Sequence, residues 1–307
     1  MRASSRLGSY QSRISPCWKL RYQKASLSIS QKGTAMESVL RDFNENGFSV
    51  LPSILESETL EAVKRECEAL VNELALRRQE EGKLADTYPN ALFETRLIRI
   101  YENYPDENPT IFRPELHREG FFGVFAHPIL LELAGVILGP EIRLYPNYSV
   151  RPKLPENKRT EVLWHQDAGY TSKEADILRM MNVWAPLVPV NIENGCMEFI
   201  PGSHKWGVVP HEKDEYYLRI HDDYIKPVEA DAVSIEIVPG DVVIFSNLLF
   251  HRGLPNRAGH VRWSLDFRYQ DATQPTLRTT HGHLLRSQVT PEAVVKDAKV
   301  WAELEFS

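Results

Sequence analysis

Residues 164–170 contain the side chains best suited to metal chemistry. They place His165 and Asp167 two positions apart at the end of a predicted strand. Residues two apart in a strand project from the same face, so the imidazole and the carboxylate can bind one ion together. The pair alone is weak evidence, because a His-x-Asp triplet also arises by chance and is typical of surface turns.

A second histidine follows the largely apolar segment of residues 242–250. On its own, His251 is more typical of a structural histidine than of a ligand. With His165 and Asp167 it completes a set of two imidazoles and one carboxylate. Such a set leaves positions open on a metal for a co-substrate and dioxygen, and it favours Fe(II). The three cysteines are far apart in the chain and offer no thiolate site.

The strand predicted at residues 261–270 alternates between two faces. The apolar face consists of Trp263, Leu265, Phe267 and Tyr269, and the polar face of Arg262, Ser264, Asp266 and Arg268. A half-buried strand normally turns its polar face to solvent. However, Arg262 and Ser264 lie 11 and 13 residues after His251. A guanidinium beside a hydroxyl can bind one carboxylate, so this face is a candidate anion site.

Taken together, the order and spacing of these segments resemble the phytanoyl-CoA dioxygenase family of Fe(II)- and 2-oxoglutarate-dependent oxygenases. The matching stretches are residues 164–170, 194–205 and 240–264. Residues 43–51, a helix end followed by Gly-Phe and an apolar strand, resemble the beginning of the family pattern. The resemblance spans about residues 43–270, and it implies a mainly β fold, the double-stranded β-helix (cupin-like jelly roll), with flanking N-terminal helices.

The resemblance also implies a role for each chemistry-bearing residue. His165, Asp167 and His251 would be the iron ligands and the catalytic residues. Arg262 would bind the distal carboxylate of 2-oxoglutarate, assisted by Ser264. Fe(II) would be the cofactor, and 2-oxoglutarate and dioxygen the co-substrates, with succinate and carbon dioxide as products of oxidative decarboxylation. Related halogenases have a small residue in place of the carboxylate, so Asp167 favours hydroxylation over halogenation.

Four further residues have weaker assignments. Trp184 matches a tryptophan that lines the co-substrate pocket in relatives, and Asn147 falls about where relatives have another co-substrate contact. Arg151 is either a further cation for the pocket or a surface arginine. His204 lies in a Pro-Gly-Ser-His turn, where a structural role is the simpler interpretation.

Two alternatives from other functional classes stay open. One is a cupin-type metalloenzyme that does not use 2-oxoglutarate, and Arg262 with Ser264 argues against it. The other is a catalytically silent binding protein on the same fold. The substrate is either an acyl-CoA or another small molecule, and the sequence does not indicate an oligomeric state. The Pro- and Asn-rich segment of residues 88–118 is expected to be a long surface loop, either a substrate lid or a plain connection.

The remaining pattern predicts one domain over residues 37–307. A short helix ends at Gly47, and a strand follows at residues 48–52. Ser53 and Glu56 have capping-box spacing before an amphipathic helix. Helix is also predicted at 128–138 and over the last 18 residues, where Thr290 would be the N-cap. The other strands are predicted at 141–151, 161–166, 178–188, 196–200, 233–238 and 241–246.

Charge is distributed unevenly along the 307 residues. The chain has a net charge of −6, and its first 36 residues contribute seven positive and no negative charges, which leaves −13 for the rest. An acidic body repels phosphates, so nucleic acid is not an expected partner. No apolar run is long enough to span a bilayer.

The basic, Ser-rich segment of residues 1–36 is a candidate extension outside the domain. It is a presequence, a disordered tail, or a stretch upstream of a true start at Met36. An intracellular location is expected, mitochondrial if the segment is a presequence and cytoplasmic otherwise. Neither terminus carries a clear peroxisomal signal.

Overall fold

The computed structural model describes residues 29–105, 107, 112–170 and 177–306. The predicted targeting segment therefore lies outside the described residues, apart from its last part. There, helix α1 begins at Ile29 and runs across the boundary expected at Met36.

The helices of the described residues lie mostly in the first half of the chain. They are α1 Ile29–Asn46, α2 Ser57–Glu80, α3 Phe93–Tyr101, α4 Glu119–Phe125, α5 Pro128–Leu138, α6 Asp222–Ile225 and α7 Ala298–Glu303. No single described helix is long and apolar enough to cross a membrane. Helices α4 and α5 together have the length and apolar composition of a membrane span, but they are bent by 44° relative to each other.

The strands begin at Phe48 and occupy most of the second half of the chain. They are β1 Phe48–Leu51, β2 Ile142–Leu144, β3 Ser149–Lys153, β4 Val162–His165, β5 Met180–Pro186, β6 Met197–Phe199, β7 His211–Lys213, β8 Leu218–Ile220, β9 Val233–Ile235, β10 Val242–Ser246, β11 His251–Gly253, β12 Arg262–Asp271 and β13 His283–Arg286. All the strand pairings between them are antiparallel.

These strands form two main sheets. The larger has the order β1-β10-β5-β12-β2-β13, with β3 pairing β12, and the smaller has the order β4-β11-β6-β9. Helices α1 and α5 contact the larger sheet. The predicted β core with N-terminal helices is therefore confirmed, and the short strands β7, β8, β11 and β13 are additions to it.

Strand β12 carries the alternation predicted for it. Its apolar face is fully buried and packs towards helix α4. The ring of Phe267 meets Phe125 edge-on with centroids 5.2 Å apart, and the Tyr269 hydroxyl donates to the Phe125 carbonyl at 2.7 Å. The polar face is also largely buried rather than solvated, because it lines the cavity between the two sheets.

The structure differs from the predicted helix boundaries at two places. Helix α2 begins at Ser57, and no side chain caps it. The predicted capping box is wrong because Ser53 lies in a left-handed turn and its backbone N–H donates to Asp241 at 2.9 Å. The C-terminal helix is limited to α7, where Asp297 rather than Thr290 is the side-chain cap.

The expected long loop at residues 88–118 is wrong as well. Its described part contains α3 and a short 3-10 helix at Pro114–Leu116. Leu97, Ile100 and Phe112 are almost completely buried. These apolar side chains make the segment part of the core, so it packs against α2 instead of covering the surface.

Candidate metal centre and active site

His165 and His251 are partners on adjacent strands. They face each other in the β4–β11 pairing, with ring centroids 4.0 Å apart. The Nδ1 atoms lie 2.8 Å from the Leu163 carbonyl and 2.9 Å from the Leu249 carbonyl. A carbonyl can only accept, so each Nδ1 carries the proton. Each Nε2 therefore has a free lone pair, as a metal ligand requires.

Asp167 lies just beyond the strand that carries His165. Strand β4 ends at His165, and Asp167 opens a 3-10 turn, so the two do not share a strand as expected. The turn still brings Asp167 Oδ1 within 3.8 Å of His165 Nε2. Asn182 donates to Asp167 Oδ2 at 2.7 Å, and Arg268 contacts both carboxylate oxygens. The carboxylate is thus held in one orientation.

The three side chains form a compact donor set. Their ligand atoms all lie within 4.8 Å of one another, and both histidines are buried. Burial and the neighbouring His251 lower the pKa of His165 to about 3. Burial would raise the pKa of Asp167, but Arg268 and the two histidines outweigh it and hold that pKa below its usual range. Neutral imidazoles beside a carboxylate are the protonation states that bind a divalent metal.

Gln166, between the two ligands, fixes the turn. Its amide nitrogen donates to the carbonyls of Gly207 (2.8 Å) and Leu248 (2.6 Å), and its oxygen accepts from the Val209 N–H at 2.9 Å. The side chain is fully buried. It therefore connects the ligand-bearing turn to two neighbouring segments, a role that no sequence pattern indicated.

Arg262 is a buried cation with no carboxylate within 4.0 Å among the residues that the structure describes. Its Nη1 donates to Ser264 Oγ at 2.5 Å, and its Nε has no hydrogen-bond partner in the described part of the chain. The guanidinium lies over the Trp184 ring, 5.5 Å from the centroid. Burial lowers its pKa to about 10. A buried charge is costly unless it is paired, so this site is suited to an anion.

All the predicted site residues line one cavity of about 420 Å³. Its lining includes His165, Asp167, His251, Arg262, Ser264, Trp184 and Asn147. The side-chain oxygen of Asn147 is buried and has no hydrogen-bond partner in the described segments, and its backbone carbonyl accepts from Arg268 at 2.8 Å. Arg151, one of the uncertain residues, also lines the cavity and pairs with Asp266. His204 lies apart from this cavity lining and contacts the Asn44 carbonyl, in keeping with a structural role.

Several residues at the site were not identified from the sequence. Asp266 and Arg268 share the polar face of β12 with Arg262, so the alternation already contained the signal for them. Asn182 is two positions before Trp184 on β5, which places both on one face of that strand.

Arg113 and Arg278 come from irregular segments, where no periodicity could indicate them.

Known proteins support the same fold and family. The sequence model of the family described as phytanoyl-CoA dioxygenase (PhyH) matches residues 43–264. The 1-deoxypentalenic acid 11-beta-hydroxylase of Streptomyces arenae is 25% identical over 251 residues, covering 77% of this chain and 82% of the relative.

Two solved structures extend the likeness to three dimensions. The apo non-haem monooxygenase ThoJ has a TM-score of 0.58 at 21% identity, covering 84% of this chain and 87% of its own. The epimerase SnoN, in complex with Fe³⁺, alpha-ketoglutarate and nogalamycin RO, has a TM-score of 0.53 at 20% identity. The match covers 80% of this chain and 88% of the SnoN chain. At these identities the likeness concerns the fold, and the expected cupin-like jelly roll is confirmed.

Proposed function

Because the chain belongs to the phytanoyl-CoA dioxygenase family, we propose that it is an Fe(II)- and 2-oxoglutarate-dependent oxygenase that hydroxylates an unactivated C–H bond. The observation that carries the proposal is the position of Arg262. This unpaired buried cation lines the same cavity as the two histidines and the carboxylate. A metal site beside a carboxylate site is the arrangement that a 2-oxo acid needs if it is to bind through both of its ends.

His165, Asp167 and His251 would hold the iron. Their ligand atoms lie within 4.8 Å of one another in the lining of the cavity, so they could bind one ion there together. When bound, iron supplies the activation of dioxygen: one oxygen atom enters the substrate as hydroxyl, and the other enters succinate as 2-oxoglutarate loses carbon dioxide.

Arg262 and Ser264 would bind the distal carboxylate of 2-oxoglutarate. The guanidinium and its neighbouring hydroxyl present donors to one anion. Trp184 packs against the guanidinium and limits its movement. In a buried site such a charge-assisted contact is screened little by solvent, so it is both strong and selective for a dicarboxylic co-substrate.

An anaerobic titration tests this proposal directly. Adding 2-oxoglutarate to the Fe(II) protein should produce a metal-to-ligand charge-transfer band, and Asp167→Ala should lack it. Succinate release, measured with a panel of acyl-CoAs, free acids and metabolites, then identifies the substrate. An absent band in the wild-type protein would favour a cupin-type enzyme that does not use 2-oxoglutarate. Full substrate-linked succinate formation by Asp167→Ala, assayed without added halide, would overturn the assignment of the ligands.

A further inference from the structure

The cavity is strongly cationic although the protein is acidic. Its lining contains Arg113, Arg151, Arg252, Arg262, Arg268 and Arg278, against the two carboxylates of Asp167 and Asp266. The net charge from residue 37 onward is −13, so the cavity has the opposite sign from the body. A cleft lined by one sign of charge concentrates ions of the other sign, so the cavity attracts anions.

Three of these arginines are already paired within the protein. Arg268 pairs with Asp167, and Arg151 pairs with Asp266. Arg252 contacts Glu198 at 2.7 Å and Glu229 at 2.8 Å. Arg262 is assigned to 2-oxoglutarate under the proposed function. Two cations of the lining remain, Arg113, which is half-buried, and Arg278, which is exposed.

Arg113 and Arg278 have no carboxylate within 4.0 Å among the residues that the structure describes. The Nε of Arg113 is buried and has no hydrogen-bond partner there. The Nε of Arg278 donates to the Tyr145 hydroxyl at 2.8 Å, which fixes the side chain without neutralising it. Burial, and then the positive charge of Arg151, lower the pKa of Arg113, although the Asp266 carboxylate opposes the shift. These contacts identify a group of like charges that an anion would stabilise.

Arg278 lies nearer to Arg268 than to Arg262 along β12. Phe112 bridges Val150 of β3, which places Arg113 beside that strand, where Arg151 and Arg278 are among its charged neighbours. Arg268 is six residues beyond Arg262 on β12, a separation of roughly 20 Å along an extended strand. The Tyr145 N–H donates to the Arg268 carbonyl at 2.8 Å, so Arg278, which is bonded to the Tyr145 hydroxyl, lies near the Arg268 end of the strand.

We propose that Arg113 and Arg278 form an anion subsite that binds the carboxylate of the substrate, and that the substrate is a small organic acid with an apolar body. Two guanidinium groups suit one carboxylate, which accepts from both. The apolar lining provided by Val162, Met197 and Phe245 would receive the hydrocarbon part. The cavity of about 420 Å³ must also hold 2-oxoglutarate, so a free acid fits better than a whole coenzyme A thioester.

This inference rests on the proposed function in one respect, namely that the anion bound by Arg113 and Arg278 is the substrate of the enzyme. The test uses linear, alicyclic and aromatic monocarboxylic acids, each with its primary amide and its coenzyme A thioester as matched probes. Affinity is measured by calorimetry on the Fe(II) protein under anaerobic conditions, and turnover by succinate release. The variants are Arg113→Gln, Arg278→Gln and the charge-retaining Arg113→Lys. Arg77→Gln, at an exposed position of α2, removes the same charge far from the cavity.

At least one acid should bind the wild-type protein at least tenfold more tightly than its amide. Both Gln variants of the subsite should lose the preference for the acid over the amide, with little change in affinity for the amide. Arg113→Lys should keep part of this preference, and Arg77→Gln should keep all of it. The 2-oxoglutarate charge-transfer band should persist in every variant. A missing band in wild type contradicts the proposed function but leaves the acid-versus-amide comparison valid.

Four results would overturn the subsite. They are equal binding of acids and amides, no binding of any acid, tighter binding of thioesters that depends on the same arginines, and loss of 2-oxoglutarate binding in the Gln variants. The third would assign the pair to phosphate groups, and the fourth to the co-substrate.

Discussion

Arg268 and Asp167 form a buried ion pair at the centre of the site. Nη2 of Arg268 lies 2.7 Å from Oδ1, Nε lies 3.2 Å from Oδ2, and the two side chains are 9% and 13% exposed. Oδ1 also faces His165 Nε2 at 3.8 Å. The guanidinium and a metal would therefore share one carboxylate, so Arg268 both orients Asp167 and compensates its charge.

Arg268→Ala should make the protein more dependent on metal for its stability. Removing one partner of a buried ion pair costs about 3–5 kcal/mol, because the other charge is left uncompensated. A divalent cation restores the compensation, so Co(II) should stabilise the variant more than it stabilises wild type. Urea unfolding with and without Co(II) measures both effects. Arg151→Ala is the matched control, since its partner Asp266 is outside the metal site. Equal stabilisation of all three proteins by Co(II) would contradict the shared-carboxylate interpretation.

Arg262→Gln should raise the KM for 2-oxoglutarate at least tenfold. Losing one partner of a buried charge-assisted contact costs about 2–5 kcal/mol, and each 1.4 kcal/mol is a factor of ten. Ser264→Ala removes only the neutral donor beside it, so its effect should be about fivefold. Succinate release at varied 2-oxoglutarate gives the values. Arg252→Gln removes a cavity arginine that is already paired with Glu198, and it should leave this KM unchanged. An unchanged KM in Arg262→Gln would show that Arg262 does not bind the distal carboxylate of 2-oxoglutarate.

Gln166→Leu should destabilise the protein and weaken metal binding together. The substitution leaves the carbonyls of Gly207 and Leu248 and the N–H of Val209 without their partner, at about 1–3 kcal/mol for each buried group. The turn that carries Asp167 then loses three of the hydrogen bonds that attach it to neighbouring segments. Urea unfolding and Co(II) titration are the measurements. Gln79→Leu, on an exposed helix position, should change neither. A stable variant with normal Co(II) affinity would show that the turn is held by other contacts.

The sequence predicted the metal cluster well because regular strands carry most of it. His251 follows an apolar run, and Arg262 and Ser264 share one face of β12, but the order and spacing of these segments and their family resemblance made them candidate site residues. The same alternation contained Asp266 and Arg268, but it could not show whether that part of the face meets solvent. Whether it does so depends on the second sheet, which is distant in sequence.

Irregular segments explain what could not be predicted. Asp167 was identified as a candidate ligand, but it reaches the site through a 3-10 turn rather than a strand. Gln166 acts through backbone groups of residues about 40 and 80 positions away. Tertiary contacts of this kind leave no periodic signal. The segment of residues 88–118 has the composition of a loop, yet packing against α2 makes part of it helical. Tertiary burial there outweighs local propensity.

His283 should make the stability of the protein depend on pH. Its ring is buried, lies 5.1 Å from that of His117 and 5.2 Å from that of Trp301, and has an Nε2 without a hydrogen-bond partner among the described residues. Burial, and then the neighbouring His117, lower the pKa of His283 to about 4, although a backbone hydrogen bond to Glu305 opposes the shift. The unfolded chain takes up this proton near pH 6.5, whereas the folded protein takes it up only near pH 4.

The neutral form of His283 therefore contributes stability that is complete above about pH 6.5 and is lost as the pH falls towards 4. His165 and His251 are shifted in the same direction, so the wild-type protein should lose unfolding free energy through this range for several reasons at once. His283→Gln removes one titrating group, and its unfolding free energy should fall less steeply between these pH values. Urea unfolding of the metal-free protein at several pH values measures the slope. An identical slope for His283→Gln and wild type would mean that protonation of His283 is not linked to folding.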